Sequence, residues 1–198
     1  MFKLAKPTLV AAAVAGSLVA GAVNAGEQFG FGRTATAEEI AGWDIDVRPD
    51  GMGLPVGSGS VLDGEGLYEA QCASCHGLFG EGEGRWPVLS GGQGTLADER
   101  PTKTVGSYWP YASTLYDYIY RAMPFPAPRS LTPDQTYAIS AYVLYLNEIV
   151  DEDFVLTNEN LADVKMPNEP NFFVDPRPDV ANTRCMSDCA DPAALQVT

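Results

Sequence analysis

Cys72-Ala73-Ser74-Cys75-His76 is the stretch of this chain on which its fold turns. It holds two of the four cysteines and the only histidine among 198 residues. Two thiols at this spacing, followed at once by an imidazole, suit covalent attachment of a haem c: the sulfurs add across the vinyl groups and the imidazole reaches the iron. A Cys-x-x-Cys pair also serves as a dithiol redox motif or as half of a zinc site. The first normally opens a helix in a βαβ setting and the second needs two further ligands, and neither context surrounds this run. Cys72 and Cys75 are therefore the expected attachment points, His76 is the expected ligand to the iron, and a single histidine leaves room for one haem.

Upstream of the motif, Val61 to Cys72 reads as a helix, with Leu67, Tyr68 and Gln71 near the seam that leads into it. Gly64 costs that helix roughly 1 kcal/mol relative to Ala, so its place there implies close approach of another backbone or ring. Downstream, residues 77–92 are too rich in glycine to be regular. Within them Pro87 lacks an N–H, and its carbonyl is the expected acceptor for the Nδ1 proton of His76, a bond that would fix the imidazole's orientation. Leu115, Tyr118, Ile119 and Ala122 fall at helical spacing and predict a helix from Tyr111 to Ala122. Three prolines in Met123-Pro-Phe-Pro-Ala-Pro128 then exclude helix. Thr132 as N-cap and Pro133 in the first turn open another helix, whose apolar face carries Ile139, Tyr142, Val143 and Leu146 up to Asn147. The pattern is all-α, with three principal helices around a cofactor.

With histidine used up, methionine is the natural candidate for the other face of the iron. Apart from Met1 the chain offers Met52, Met123, Met166 and Met186. Met123 ends a helix, enters a proline-stiffened loop and precedes the last helix, an arrangement that can hold a thioether rigidly. Met166 also precedes a proline, but lies beyond the last helix, and is the second choice. Two protein ligands close the iron, which favours electron transfer over substrate activation, and no further histidine is present to act as a distal acid or base.

The two ends read differently from this centre. Residues 1–25 have the form of a secretory leader, with Lys3 and Lys6, an apolar stretch from Leu9 to Val23 and Val-Asn-Ala before Gly26; cleavage after Ala25 is expected, with an uncleaved anchor as the alternative, and either implies a periplasmic protein. No other segment is long and apolar enough to span a bilayer. Residues 26–59 are an arm with a short helical possibility over 36–42 and an extended stretch over 43–47; residues 60–149 are the haem domain. Residues 150–198 are a long irregular tail expected on the surface, ending in Cys185 and Cys189. Four positions apart on a helical turn, those two cysteines would place their Cα atoms about 6 Å apart, within reach of a disulfide; a redox-active pair is the alternative. The formal net charge is −14, and loss of a leader with two lysines and no acid leaves 10 cations against 26 acids, or −16. That surface disfavours nucleic acid and anionic membrane and suits a protein partner with a basic docking patch. Arg85, Arg100, Lys103, Arg121 and Arg129 all lie between the haem histidine and Leu131, and some of them are expected to frame the haem edge or pair with its propionates.

From Val61 to Ile149 the order Gly64-x-x-x-Tyr68, Cys-x-x-Cys-His-Gly, Pro87, a Met-Pro loop and a helix with Ala141-Tyr142-Val143 resembles a class I cytochrome c. The resemblance implies that fold, and packing of Gly64 or Gly66 against Tyr142. Glu38-Glu-Ile-Ala-Gly-Trp-Asp-Ile-Asp-Val-Arg-Pro-Asp-Gly51, Gly84-Arg-Trp-Pro-Val-Leu-Ser-Gly-Gly92, Val105-Gly-Ser-Tyr-Trp-Pro-Tyr-Ala112 and Arg121-Ala-Met-Pro-Phe125 are similar to the cytochrome c subunit of the Sox sulfur dehydrogenase (SoxD type) and of related sulfite dehydrogenases. This implies a molybdenum-cofactor subunit as catalytic partner, a small carrier cytochrome c as electron acceptor, and no catalysis by the chain alone. Tyr68, Pro87 and Trp109 are the residues expected around the haem. The competing reading is a free-standing carrier without a catalytic partner, which would not need the two arms.

Overall fold

The computed structural model of the protein describes residues 31–176. The described residues before Ile45 belong to one compact unit and those from Ile45 onward to a second. The first unit contains helix α1 (Ala37–Trp43), one residue offset from the expected 36–42. Thr36 caps it, accepting from the Glu39 N–H while the Glu39 carboxylate accepts from the Thr36 N–H. None of its residues is buried.

In the second unit, strand β1 (Ser58–Ser60) runs into helix α2 (Val61–Gln71). The Ser60 hydroxyl caps α2 by accepting from the Asp63 N–H at 3.0 Å. Val61, Gly64 and Tyr68 form its buried face, spaced i, i+3, i+7. Gly64 meets the central helix: a Cβ there would lie 2.0 Å from the Ala138 carbonyl oxygen and 2.9 Å from the Tyr142 Cβ. A Cβ on Gly66 would meet nothing within 4 Å, so of the two glycines Gly64 makes the crossing.

Helix α3 (Ala73–His76) carries the attachment motif and ends at Gly77, whose φ of +77° only glycine adopts without strain. Helix α4 (Val105–Tyr108) is a single turn held by a Thr104/Ser107 capping box; four residues are too few to show periodicity in a sequence. Helix α5 (Ala112–Ala122) buries Ala112, Leu115, Tyr116 and Ile119 on one stripe; of the expected face Leu115 and Ile119 are in it, while Tyr118 is half exposed and Tyr116 takes the buried place. Helix α6 (Pro133–Leu146) starts as predicted, with Thr132 as N-cap and Pro133 in the first turn, and a reciprocal bond between Thr132 and Gln135 completes the cap. Every residue from Thr136 to Leu144 is buried, which makes α6 the axis on which α2, α5 and β1 pack.

The tail departs from its expected surface course. Strand β2 (Val155–Thr157) pairs antiparallel with β1 in the register Ser58↔Thr157, Gly59↔Leu156, Ser60↔Val155. Leu156, Leu161 and Met166 are buried in the same apolar cluster as α5 and α6. Each anchors a different short turn or strand, so no shared period betrays them. No helix among the described residues is long and apolar enough to cross a membrane. The leader, Met186 and the Cys185–Cys189 pair lie outside the described residues.

Candidate functional site

A cavity of about 490 Å³ opens where the end of α2, α3, the glycine-rich loop and helices α4 to α6 meet, within the range of about 300–1,000 Å³ usual for cofactor pockets. The seven residues expected to hold or surround the haem line it: Tyr68, Cys72, Cys75, His76, Pro87, Trp109 and Met123. They come from segments more than fifty positions apart, and α6 supplies Ile139 and Val143 as a common apolar wall.

His76 Nδ1 lies 2.9 Å from the Pro87 carbonyl oxygen. Donating the Nδ1 proton there leaves the lone pair of the neutral ring on Nε2, the tautomer a metal ligand requires. Backbone bonds hold the loop that makes this contact: Gly82 N–H donates to the His76 carbonyl at 2.7 Å, Glu83 N–H to the Cys75 carbonyl at 2.9 Å, and Leu89 N–H to the Gly80 carbonyl at 2.7 Å. Tyr68 donates its hydroxyl to the Gly77 carbonyl at 3.0 Å, and burial pushes its phenol well above the ordinary value, so it stays neutral.

Met123 is the C-cap of α5, its N–H bonded to the Ile119 carbonyl at 3.0 Å, so its backbone is fixed as the chain leaves the helix. The other described methionines do not reach the cavity. Met166 is buried in the apolar cluster, and Met52 is 60% exposed with its sulfur accepting from Arg48 at 3.3 Å. Of the five cations expected near the haem edge, two stand at the cavity or on its wall and two are engaged elsewhere. Lys103 alone of the five lines the cavity. Arg121 is engaged by Asp46 and Asp117 at 3.0 and 2.9 Å, Arg85 lies over the Trp86 ring at 4.8 Å, and Arg129 lies over Tyr120 at 5.1 Å. Arg85 thus stands on a ring of the cavity wall, while Arg121 and Arg129 are taken up by partners that position along the chain does not reveal.

Among the lining residues that escaped the sequence reading, two aromatics stand out. Trp86 and Phe125 stand with ring centroids 5.6 Å apart, on the two loops that carry Pro87 and Met123. The signal available was an aromatic beside a proline in each loop, Trp86-Pro87 and Pro124-Phe125-Pro126.

Two thiols, an imidazole with its lone pair free and a thioether on one largely apolar cavity form a donor set that fits a covalently held haem. Among the described residues no group of three or more His, Cys, Asp or Glu side chains offers a metal site of another kind. A helical core with a Cys-x-x-Cys-His run in the wall of such a cavity defines a c-type cytochrome. The family model for cytochrome c matches residues 61–147. A curated relative, cytochrome c-554(547) of Halothiobacillus neapolitanus, is 39% identical over 51 residues, which are 26% of this chain and 52% of the relative; the chain spans about half the length of that relative. A chain in the crystal structure of the sulfane dehydrogenase SoxCD from Paracoccus pantotrophus is 50% identical, with 86% of each chain covered and a TM-score of 0.71. The chain belongs to the cytochrome c family and carries a covalently bound haem c.

Proposed function

We propose that this protein is the electron-transfer subunit of a periplasmic, molybdenum-dependent dehydrogenase of sulfane sulfur or sulfite, and that it passes electrons singly to a small carrier cytochrome c. The observation that carries the electron-transfer reading is that His76 and Met123 line one cavity. Haem c supplies one-electron exchange at iron. The residues of this chain do the rest. Cys72 and Cys75 would tether the group, His76, its ring held by the Pro87 carbonyl, would bind the iron through Nε2, and Met123 would supply a thioether as the second protein ligand and so exclude small molecules. A thioether opposite an imidazole favours the reduced state relative to two imidazoles. Trp109, Ile139 and Val143, which line the cavity, would keep water from the bound group and so lower the cost of solvent reorganisation.

The sulfur-oxidising partner is supported by the 50% identity to a chain of the sulfane dehydrogenase structure over 86% of this chain. Export is supported by the leader-like residues 1–25, and a basic docking patch on the acceptor by the net charge of −14. The test is purification of the native protein from its source with assays for haem, molybdenum and activity toward thiosulfate and sulfite. Co-elution of one haem with a molybdenum-containing subunit is expected. Elution of the cytochrome alone, without dehydrogenase activity, would overturn the partnership. Carbon monoxide binding by the native ferrous protein would overturn the closed iron.

A further inference from the structure

One buried polar side chain ties the haem loop to the rest of the core. Asn147, 3% exposed, ends α6. Its Nδ2 donates to the Leu89 carbonyl at 3.0 Å and to the Val143 carbonyl at 2.8 Å, and its Oδ1 accepts from the Gly106 N–H at 3.2 Å. Both donors and the acceptor are used, so a single carboxamide joins α6, the first turn of α4 and the loop two residues beyond Pro87. On its other side Leu89 is held through its own N–H by the Gly80 carbonyl. The peptide units just after Pro87 are therefore pinned from both sides, and the Pro87 carbonyl is the group that orients His76. Gly106 makes room for this arrangement: a Cβ there would stand 2.5 Å from Asn147 Oδ1.

We infer that Asn147 is a positioning residue for the haem histidine. It acts through the Leu89 carbonyl to hold the Pro87 oxygen at hydrogen-bonding distance from Nδ1, and Gly106 is the space that lets it do so. Capping α6 needs only the bond to Val143, whereas the bonds to Leu89 and Gly106 reach outside the helix. A buried asparagine that loses these partners leaves carbonyls unpaired, and the loop relaxes where the His76 bond is made. A weaker Nδ1–H···O bond makes the imidazole less basic and favours the reduced iron.

This inference rests on His76 as an iron ligand. The experiment uses the holoprotein with Asn147→Leu, Gly106→Ala and, as a control for lost stability alone, Leu156→Ala, whose side chain is buried but does not line the cavity. Reduction potential, the hyperfine-shifted proton spectrum of the oxidised protein and exchange of the His76 Nδ1 proton are read in each. Asn147→Leu and Gly106→Ala are expected to raise the potential and change the hyperfine pattern, and the Nδ1 proton should exchange about two- to tenfold faster than in the control. Leu156→Ala should lower the denaturation midpoint with potential and pattern at their wild-type values. The inference is overturned if Asn147→Leu and Gly106→Ala differ from the wild type only in their midpoint. Should Asn147→Leu fail to yield holoprotein, Gly106→Ala decides alone. Absence of hyperfine-shifted His76 ring resonances in the wild type would instead sink the ligation itself, an outcome separate from the loss of positioning.

Discussion

Met123-Pro124 and Met166-Pro167 are the same dipeptide in two places, and the fold uses them in opposite ways. Met123 leaves a helix of eleven residues with its backbone still bonded to that helix, and its side chain reaches the haem cavity. Met166 follows a short 3-10 turn and buries its side chain among apolar neighbours. A thioether is both a soft ligand and a flexible hydrophobe. Which of the two it becomes is set by the element that delivers it, and the proline beside it decides neither.

Leucine at each position should separate the two roles most sharply. Met123→Leu should abolish the methionine–sulfur band of the oxidised optical spectrum, open the iron to carbon monoxide and lower the reduction potential. Met166→Leu should leave spectrum and potential unchanged, and as a swap of similar volume it should cost less than about 1.5 kcal/mol in denaturant unfolding. Truncation reverses the emphasis: Met166→Ala should cost about 2–5 kcal/mol with the optical spectrum intact. A spectral change in Met166→Leu with none in Met123→Leu would exchange the two assignments.

The glycines of α2 offer the same contrast at smaller scale. Gly64→Ala drives a methyl into the Ala138 carbonyl and should destabilise by about 1–3 kcal/mol. Gly66→Ala enters open space and should stabilise by up to about 1 kcal/mol. Away from the cavity, Tyr137 donates its hydroxyl to the Pro55 carbonyl at 2.8 Å, and burial pushes its phenol up to about 12. The folded state thus binds this proton more tightly than the unfolded chain does. The resulting stability is complete below the unfolded value of about 10 and fades as pH rises through about 12. Chemical denaturation between those limits should show a falling midpoint. Tyr137→Phe should flatten the fall and cost about 0.5–1.5 kcal/mol at neutral pH. Tyr68 and Tyr116, shifted in the same direction by burial, keep the slope from vanishing. The smallest effect belongs to Arg121→Gln, which loses two pairs near the surface and should cost about 0.2–1 kcal/mol, less at high salt.

The site was more legible in the sequence than the core around it. Cys72, Cys75 and His76 are adjacent, and Met123 is marked by the end of a periodic helix and a run of prolines, so the chemistry could be read from local order. Helices α2, α5 and α6 announce themselves by spacing, and α6 also by Thr132 at its start; the Ser60 cap of α2 emerged only in the structure. Leu156, Leu161 and Met166 could not be read this way, because each is buried by contacts with elements distant in the chain and stands alone in its segment. The same holds for Asn147. A terminal asparagine looks like an ordinary helix stop, and only the fold brings Leu89 and Gly106 to its carboxamide. Position along the chain also could not sort the cations: Lys103 and the Trp86 ring under Arg85 line the cavity, whereas Arg121 is held by Asp46 and Asp117 and Arg129 by Tyr120.

The pairing of β1 with β2 also sets how the protein responds to force. Gly57 and Asn158 face each other at its outer end, where the Asn158 N–H reaches the Gly57 carbonyl at 3.3 Å. Tension that separates these two points opens the ribbon like a zipper from Ser58↔Thr157 inward, breaking one bond at a time before any load arrives at the Val61 N–H and Phe154 carbonyl. A pull on both points in the same direction stretches none of those bonds. Helix α6 backs the ribbon from outside, because Tyr137 holds the Pro55 carbonyl and Asp134 the Ser58 N–H, each at 2.8 Å, so a pull on the strand's N-terminal side is shared with that helix from the first bond.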